Sequence, residues 1–200
     1  MINIANIKIS YEKVLARLGY SKNRTVLNEK TAVLIKETVE AAQKLINPKA
    51  VVAFENITID GIFILFENGY KIESRDTAKL LDGCFKAYGI AVTIGNALEN
   101  KRNSFLSEKE TLKGLIFDAA GSVAAEEAIT AADAQIKARE EQNGNTATKR
   151  FSPGYGDWEL ENQKEFLNWL GASHIGITLT PAHLMLPEKS VSALIGIKNK

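Results

Sequence analysis

The sequence predicts an α+β fold with a mainly antiparallel β-sheet flanked by helices. Its candidate strands occur in hairpins and do not alternate regularly with helices, as the strands of a doubly wound sheet would. Glu67-Asn68-Gly69 separates two apolar runs and is a strong hairpin signal. A long segment, 108–142, carries apolar residues at an imperfect helical spacing. Together these observations favour α+β over a parallel α/β architecture.

Two helices are predicted before the first strand. Residues 11–20 form a short helix that stops at Gly19, and Asn28 caps a longer helix that ends at Asn47-Pro48. Further along the chain, strands are predicted at 50–54, 57–66 and 70–73, a helix at 76–84 and a strand at 90–94. The segment 1–48 is therefore predicted to be an N-terminal helical segment, and 49–200 to be the main α+β domain.

The second half of the chain begins with the longest predicted helix. Ser107 with Glu110 makes a capping box, and the small residues 119–122 allow either close backbone packing or a break into two helices. Residues 141–148 are polar and form a surface loop. The last predicted elements are a helix at 158–170 capped by Asp157, and strands at 175–179 and 191–197.

Composition excludes several classes of function. A formal net charge of +1 leaves no electrostatic footprint for nucleic acid or an anionic membrane surface. No apolar run approaches the roughly 20 residues that span a bilayer. The first residues lack the charged and apolar regions of a signal peptide, so a cytoplasmic location is expected.

The sequence predicts no metal site and no catalytic dyad. Cys84 is the single cysteine, which rules out an intramolecular disulfide and a multi-cysteine zinc site. It lies among apolar residues and is expected to be a small buried side chain. His174 and His183 have no ligand partner at metal-binding spacing. No Gly-x-Gly-x-x-Gly follows a strand, so a Rossmann-type methyltransferase is unsupported.

Two segments near the C-terminus carry the functional signal. The first is Lys149-Arg150-Phe151-Ser152-Pro153-Gly154-Tyr155-Gly156-Asp157, a cationic Gly/Pro-rich turn with an aromatic ring at Tyr155. Such a turn offers backbone N–H groups, a guanidinium and a ring face to a small anionic or zwitterionic ligand. The second, 179–192, follows the pattern Leu-Thr-x-x-x-x-Met-x-Pro-x-x-Ser-Val-Ser. On the residues alone, the first segment is equally a turn between helices, and the second a strand, crossover and strand.

In this order, the two segments resemble the activation domain of cobalamin-dependent methionine synthase, the module that binds S-adenosylmethionine. The family has Arg-x-x-Pro-Gly-Tyr where this chain has Arg150 to Tyr155. The resemblance is strong over 149–197 and weaker over 90–138. It implies an activation-domain-like fold with a bent sheet over 49–200. The chain looks most like the free-standing activation proteins of bacteria whose methionine synthase lacks this domain.

The resemblance implies a set of S-adenosylmethionine-binding residues. Arg150 would hold the methionine carboxylate, Gly154 would let backbone approach the ligand, and Tyr155 would cover the adenine or sulfonium. Other predicted contacts are Ser152 in the same loop and Pro187 and Ser190 in the crossover, the latter two as wall residues with Ser192. The family also has a helix glutamate on the ligand. Its place is best matched by Glu127, with Glu126 as the alternative; on the residues alone, the two are a solvated pair.

The implied role is support of reductive remethylation of the corrinoid of a separate cobalamin-dependent methionine synthase. In that family, flavodoxin or a similar donor reduces the cobalt, and S-adenosylmethionine supplies the methyl group. This chain has no Asp-x-His-x-x-Gly cobalamin signature, so the partner would carry cobalamin. No residue is predicted to be catalytic, because alignment and proximity suffice for this transfer. The alternative is a reactivation or docking module for another corrinoid methyltransferase, with or without methyl transfer of its own.

Overall fold

The computed structural model describes residues 2–20 and 26–200. Its β-strands are β1 (Lys49–Asp60), β2 (Phe63–Phe66), β3 (Lys71–Glu73), β4 (Lys86–Thr93), β5 (Asn145–Ala147), β6 (Thr178–Leu179), β7 (Met185–Leu186) and β8 (Ser190–Asn199). The helices are α1 (Tyr11–Arg17), α2 (Glu29–Gln43), α3 (Arg75–Leu80), α4 (Ala97–Ser107), α5 (Thr111–Gln142) and α6 (Gln163–Leu170). Short 3-10 turns occupy Leu160–Asn162 and Ala172–Ile175.

Six strands form one sheet in the order β3-β2-β1-β4-β8-β5, and β6 and β7 form a separate hairpin. Every pairing is antiparallel. The predicted α+β class with a mainly antiparallel sheet is confirmed. Strand β4 lies at the centre, paired over eight residues with both β1 and β8, and seven of its eight residues are buried.

The core divides between the two faces of this sheet. On one face Ile90, Val92 and Ile195 pack with α2 and the 32-residue helix α5. On the other face Ala91 and Leu194 pack with Trp158 and with the buried apolar residues of α6, namely Phe166, Leu167 and Leu170. A strand covered by helices on both faces explains why β4 reads as a nearly continuous apolar run.

The N-terminal helices pack against α5. Val14 of α1 and Ile35 of α2 belong to the same hydrophobic cluster as Ile116 and Ile129 of α5. The Asn28 cap is confirmed, because its side chain accepts a hydrogen bond from the Thr31 N–H at 2.9 Å. The division into 1–48 and 49–200 stays a prediction.

Strand boundaries around the first hairpin differ from those predicted. Residues 57–66 do not form one strand: β1 runs on to Asp60, and a turn at Gly61, with φ of 61°, leads into β2. The apolar run through Ile62 hides this turn in the sequence. The predicted hairpin at Glu67-Asn68-Gly69 is confirmed between β2 and β3. There the Asn68 side chain accepts a hydrogen bond from the Tyr70 N–H at 2.9 Å.

Helix α5 is continuous but begins later than predicted. Ser107 is the last residue of α4 and donates to the Ser104 carbonyl at 2.8 Å, and Glu110 makes no side-chain cap. The predicted capping box is therefore wrong. The small residues serve close packing: a Cβ at Gly121 would lie 2.9 Å from Leu98 Cδ2 and 3.1 Å from Lys189 Cγ.

The last two predicted elements before β8 are shorter than expected. The segment 158–170 begins irregularly, and its α-helix spans Gln163–Leu170. The segment 175–179 contains the end of a 3-10 turn and the two-residue strand β6. The strand predicted at 191–197 is confirmed as part of β8.

Within residues 2–20 and 26–200, no helix combines the length and hydrophobicity needed to cross a membrane. The same part of the chain contains no group of three or more His, Cys, Asp or Glu side chains placed to hold a metal ion. Cys84 is buried, as expected of a small apolar side chain.

Candidate functional site

A groove lies beside the beginning of β8. Strand β5 pairs only with 197–199 of β8, and Phe151 bridges Leu194, so 190–193 border open space. The groove has a volume of about 510 Å³, within the range of small-molecule sites. Both segments singled out in the sequence contribute to its lining, which consists of Glu126, Arg150, Phe151, Ser152, Pro153, Tyr155, Gln163, Met185, Ser190, Val191, Ser192 and Ala193.

The loop from Arg150 to Asp157 is held against β8 at its first residues. Phe151 exchanges two main-chain hydrogen bonds with Leu194, at 3.0 and 2.7 Å. The Ser152 hydroxyl donates to the Ser192 carbonyl at 2.6 Å. Beyond this anchor the loop turns through Gly154, whose φ of 89° favours glycine, and Tyr155 is 67% exposed. The Tyr155 ring is thus presented at the rim of the groove.

Asp157 ties the far end of the same loop to α3. Its carboxylate accepts hydrogen bonds from the Ser74 hydroxyl at 2.6 Å and from the N–H groups of Arg75 and Asp76 at 2.8 and 3.1 Å. The hydrogen bond from Ser74 is the main cause that lowers the pKa of Asp157. The prediction that Asp157 caps the helix that follows it is wrong. Asp157 caps a helix that lies about 80 residues earlier in the chain.

Arg150 meets a carboxylate of α5 across the groove. Its Nη2 lies 2.7 Å from Glu126 Oε1, and its Nε lies 3.9 Å from Asp133 Oδ2. Glu127 is turned elsewhere: it pairs with Lys13 of α1 at 2.5 Å and lines a different depression. The structure therefore brings Glu126 to Arg150, whereas the preferred candidate in the sequence was Glu127.

The crossover between β7 and β8 forms the opposite wall. Met185 and Ser190 line the groove, and the Ser190 hydroxyl donates to the Pro187 carbonyl at 2.7 Å. Pro187 follows a cis peptide bond and is not one of the residues that line the groove. Of the seven predicted site residues, Arg150, Ser152, Tyr155 and Ser190 line the groove. Pro187, Gly154 and Glu127 do not.

An ion-pair network holds this crossover to α4 and α5. The Lys189 ammonium donates to Asp118 at 2.7 Å and to the Ser122 hydroxyl at 2.9 Å. Arg102 of α4 pairs with Asp118 at 3.0 Å and with Glu188 at 2.7 Å. Partial burial raises the pKa of Asp118, but these hydrogen bonds outweigh burial and leave it below its ordinary value. No sequence pattern indicates this network, because its members lie far apart in the chain.

Two further polar residues line the groove: Gln163, which the sequence did not indicate, and Ser192, which was predicted as a wall residue. Gln163 is buried, and its amide donates to the His183 carbonyl at 2.7 Å, which holds the turn between β6 and β7 to α6. Ser192 is 2% exposed, and its hydroxyl has no hydrogen-bond partner. The side chains of His174 and His183 do not line the groove. Among the lining residues, the charged side chains are Arg150 and Glu126.

Comparison with known proteins identifies the architecture. No protein-family model matches this sequence, and no curated protein matches it. A solved structure, the MetH reactivation domain bound to AdoHcy, matches with a TM-score of 0.63 over 95% of this chain and 76% of the other. The chain has an activation-domain-like fold. At 15% identity, the match shows the activation-domain-like fold alone. The chemistry of the groove therefore depends on the residues of this chain.

The groove of this activation-domain-like fold combines one cation, one anion, an exposed ring and buried hydroxyls. A guanidinium and a carboxylate 2.7 Å apart present opposite charges side by side. An exposed tyrosine ring adds a stacking surface. This set suits a zwitterionic ligand with an aromatic part, and it provides no adjacent nucleophile and base.

Proposed function

We propose that this chain binds S-adenosylmethionine in the groove beside β8 and supports reductive remethylation of the corrinoid of a separate cobalamin-dependent methionine synthase. The observation that carries the proposal is the Arg150–Glu126 pair at the mouth of a groove with an exposed aromatic ring. The fold adds support, since a solved relative in architecture is a MetH reactivation domain bound to AdoHcy.

The charge pair suits the amino-acid end of the ligand. An α-amino acid carries a carboxylate and an ammonium on one carbon, so a guanidinium and a carboxylate held side by side match both charges. Arg150 would turn to the ligand carboxylate, and Glu126 would turn to the ammonium. The two side chains are 26% and 58% exposed, so their mutual ion pair contributes little to stability and opens readily.

Tyr155 suits the other end of the ligand. A ring that is 67% exposed beside a groove is available to stack on adenine or to face a sulfonium. Its loop is fixed at Phe151 and at Asp157, so the position of the ring is set by both anchors. The exposed ring also places this end of the groove at the protein surface, where a partner protein would approach a bound ligand.

Bound S-adenosylmethionine supplies an electrophilic methyl group, for which the corrinoid of the partner is the acceptor. The residues of this chain bind and orient that methyl group. Arg150 and Glu126 fix the amino-acid end, the Tyr155 loop fixes the nucleoside, and the crossover wall limits rotation between them. The expected gain is that of proximity and orientation, which needs no general acid or base.

Calorimetric titration with S-adenosylmethionine and S-adenosylhomocysteine tests the proposal. The wild-type protein should show saturable one-to-one binding. Arg150→Ala removes charge-assisted hydrogen bonds of about 1.5–3 kcal/mol, so affinity should fall by about tenfold to 150-fold. The matched control is Lys149→Ala, which removes the same charge from an exposed neighbour outside the groove and should stay within about twofold. Equal effects of the two variants would contradict the role of Arg150.

Methyl transfer separates the two roles left open by the sequence. Purified chain, S-adenosylmethionine, a reductant and a corrinoid-bearing methionine synthase should yield methylated corrinoid and S-adenosylhomocysteine. Ligand binding without methyl transfer to this partner would instead favour a reactivation or docking module for another corrinoid methyltransferase. The absence of any ligand binding would overturn the proposed function.

A further inference from the structure

The Ser192 hydroxyl is buried in the floor of the groove without a hydrogen-bond partner. In the described part of the chain, three buried side-chain polar atoms lack a partner, and the other two belong to Asp133 and Trp158. Of these three residues, Ser192 is the one that lines the groove. Leaving a hydroxyl buried and unpaired is costly, so such a group in a folded protein calls for a partner.

Strand alternation places this hydroxyl away from the charge pair. Side chains two residues apart on a strand share a face, so Ser192 lies on the face of Leu194, which packs with Trp158 and Phe166. Ala193, on the opposite face, packs in the cluster that contains α5, the helix of Glu126. Ser192 therefore lies on the Tyr155 side of the strand, remote from the amino-acid end of the proposed ligand.

The main chain of Ser192 is directed to the same open edge. Leu194 makes both of its main-chain hydrogen bonds at this edge with Phe151, and the Ser192 carbonyl accepts from the Ser152 hydroxyl there. In an antiparallel strand, alternate residues direct N–H and C=O to the same side. The Ser192 N–H thus points to the groove edge as well, close to its own hydroxyl.

We infer that Ser192 is a binding residue that hydrogen-bonds the nucleoside part of the ligand through its hydroxyl. This inference rests on the proposed function. Ser192 adds a polar contact that a merely structural wall residue would not make. It therefore contributes to selectivity for ribose hydroxyls or adenine nitrogens over an apolar group of similar size.

Titration of Ser192→Ala with two ligands tests the inference. S-adenosylhomocysteine contains both ends of the proposed ligand, and 5′-methylthioadenosine lacks the amino-acid end. Loss of one neutral hydrogen bond should weaken the binding of both by the same factor, about threefold to tenfold. Arg150→Ala, in contrast, should weaken S-adenosylhomocysteine and leave 5′-methylthioadenosine within about twofold.

Urea unfolding of the free protein gives an independent measurement. Ser192→Ala removes a hydroxyl that makes no internal hydrogen bond, so the unfolding midpoint should be unchanged or higher than in the wild type. Ser190→Ala is the comparison on the same face of β8. Its hydroxyl donates to the Pro187 carbonyl, so its loss should lower the midpoint.

The outcomes distinguish this inference from the proposed function. If Ser192→Ala binds S-adenosylhomocysteine as tightly as the wild type does, the inference is overturned and the proposed function is not. A loss restricted to S-adenosylhomocysteine would also overturn the inference, because the hydroxyl would then face the amino-acid end. A lowered urea midpoint with unchanged affinity would show a purely structural hydroxyl. No binding of either ligand to the wild type would overturn the proposed function together with the inference.

Discussion

Replacing Glu140 by Gln should destabilise the protein by about 2–4 kcal/mol. Glu140 is 1% exposed and accepts from the Tyr88 hydroxyl at 2.5 Å, the Asn145 amide at 2.8 Å and the Lys86 ammonium at 3.1 Å. A glutamine keeps one acceptor oxygen for Tyr88 but turns an NH₂ group towards the Asn145 donor. Losing that bond and weakening the charge-assisted one costs about 1–2 kcal/mol each. Lys86 is 19% exposed and turns to water at little further cost.

Urea unfolding of four proteins measures this interaction: the wild type, Glu140→Gln, Tyr88→Phe and the double variant. The two changes touch one hydrogen bond, so their effects on the free energy of unfolding should fall short of additivity by about 1 kcal/mol. Glu141→Gln is the control, since Glu141 is exposed and should change stability by less than about 0.5 kcal/mol. A cost below about 1 kcal/mol for Glu140→Gln, or strict additivity, would refute the reasoning.

The same cluster predicts a pH dependence. Burial raises the pKa of Glu140, but hydrogen bonds from Tyr88, Asn145 and Lys86 outweigh it and leave that pKa below its ordinary value. The wild type should therefore lose its advantage over Glu140→Gln as pH falls through this lowered pKa. Burial, with the Glu140 contact, raises the pKa of Tyr88 to about 12. Stability is thus lost as pH rises from about 10, where the unfolded tyrosine ionises, towards 12.

Two further predictions concern the loop anchor and the packing under the sheet. Asp157→Asn leaves one acceptor oxygen for three donors, so affinity for S-adenosylhomocysteine should fall several-fold. Wild-type affinity should also fall in acid as Asp157 protonates through its lowered pKa, whereas the variant should lack this dependence; identical pH profiles would count against an anchoring role. Gly89→Ala would place a Cβ 2.3 Å from the Trp169 ring, so the free energy of unfolding should drop by about 1–3 kcal/mol in urea titration, and an unchanged midpoint would contradict this packing.

Local sequence patterns predicted which helices and strands form. They predicted less well which residues the ends of these elements contact in the folded protein. Asn28 caps the helix that follows it, as its sequence context predicts. Asp157 likewise stands directly before a segment of predicted helix, yet its carboxylate binds the N–H groups of α3. Nothing near Asp157 in the sequence distinguishes the two cases, because the competing donors become neighbours only when the sheet assembles.

The candidate site shows the same division. The Arg150 loop and the Ser190 crossover were singled out because their motifs resemble those of a known family, and the structure places both beside one groove. The choice between Glu126 and Glu127 was not accessible in this way. Successive residues of a helix point about 100° apart, and only the docking of α1, which brings Lys13 to Glu127, determines which of them faces Arg150.

Ser192 shows what a recognised motif does not reveal about its individual residues. The Ser-Val-Ser segment was interpreted as a wall of the groove, and Ser190 fits this description, since its hydroxyl is satisfied by Pro187. The Ser192 hydroxyl differs only in lacking such a partner. Hydrogen-bond satisfaction depends on the complete surroundings of an atom, and a pattern of residue types does not contain that information.

Because of the Lys189 network, the two walls of the groove are held in place in different ways. Four ionic groups from α4, α5 and the crossover hold the Ser190 wall in place in the free protein. The facing loop is held at Ser152 and at Asp157, and the exposed Tyr155 ring lies between these two anchors. Binding would then order little more than the exposed Tyr155 side chain, which limits the conformational entropy lost on association. Substitutions in the loop between Ser152 and Asp157 would therefore change the affinity for the ligand. The Ser190 wall would still preserve the geometry in which the ligand is presented.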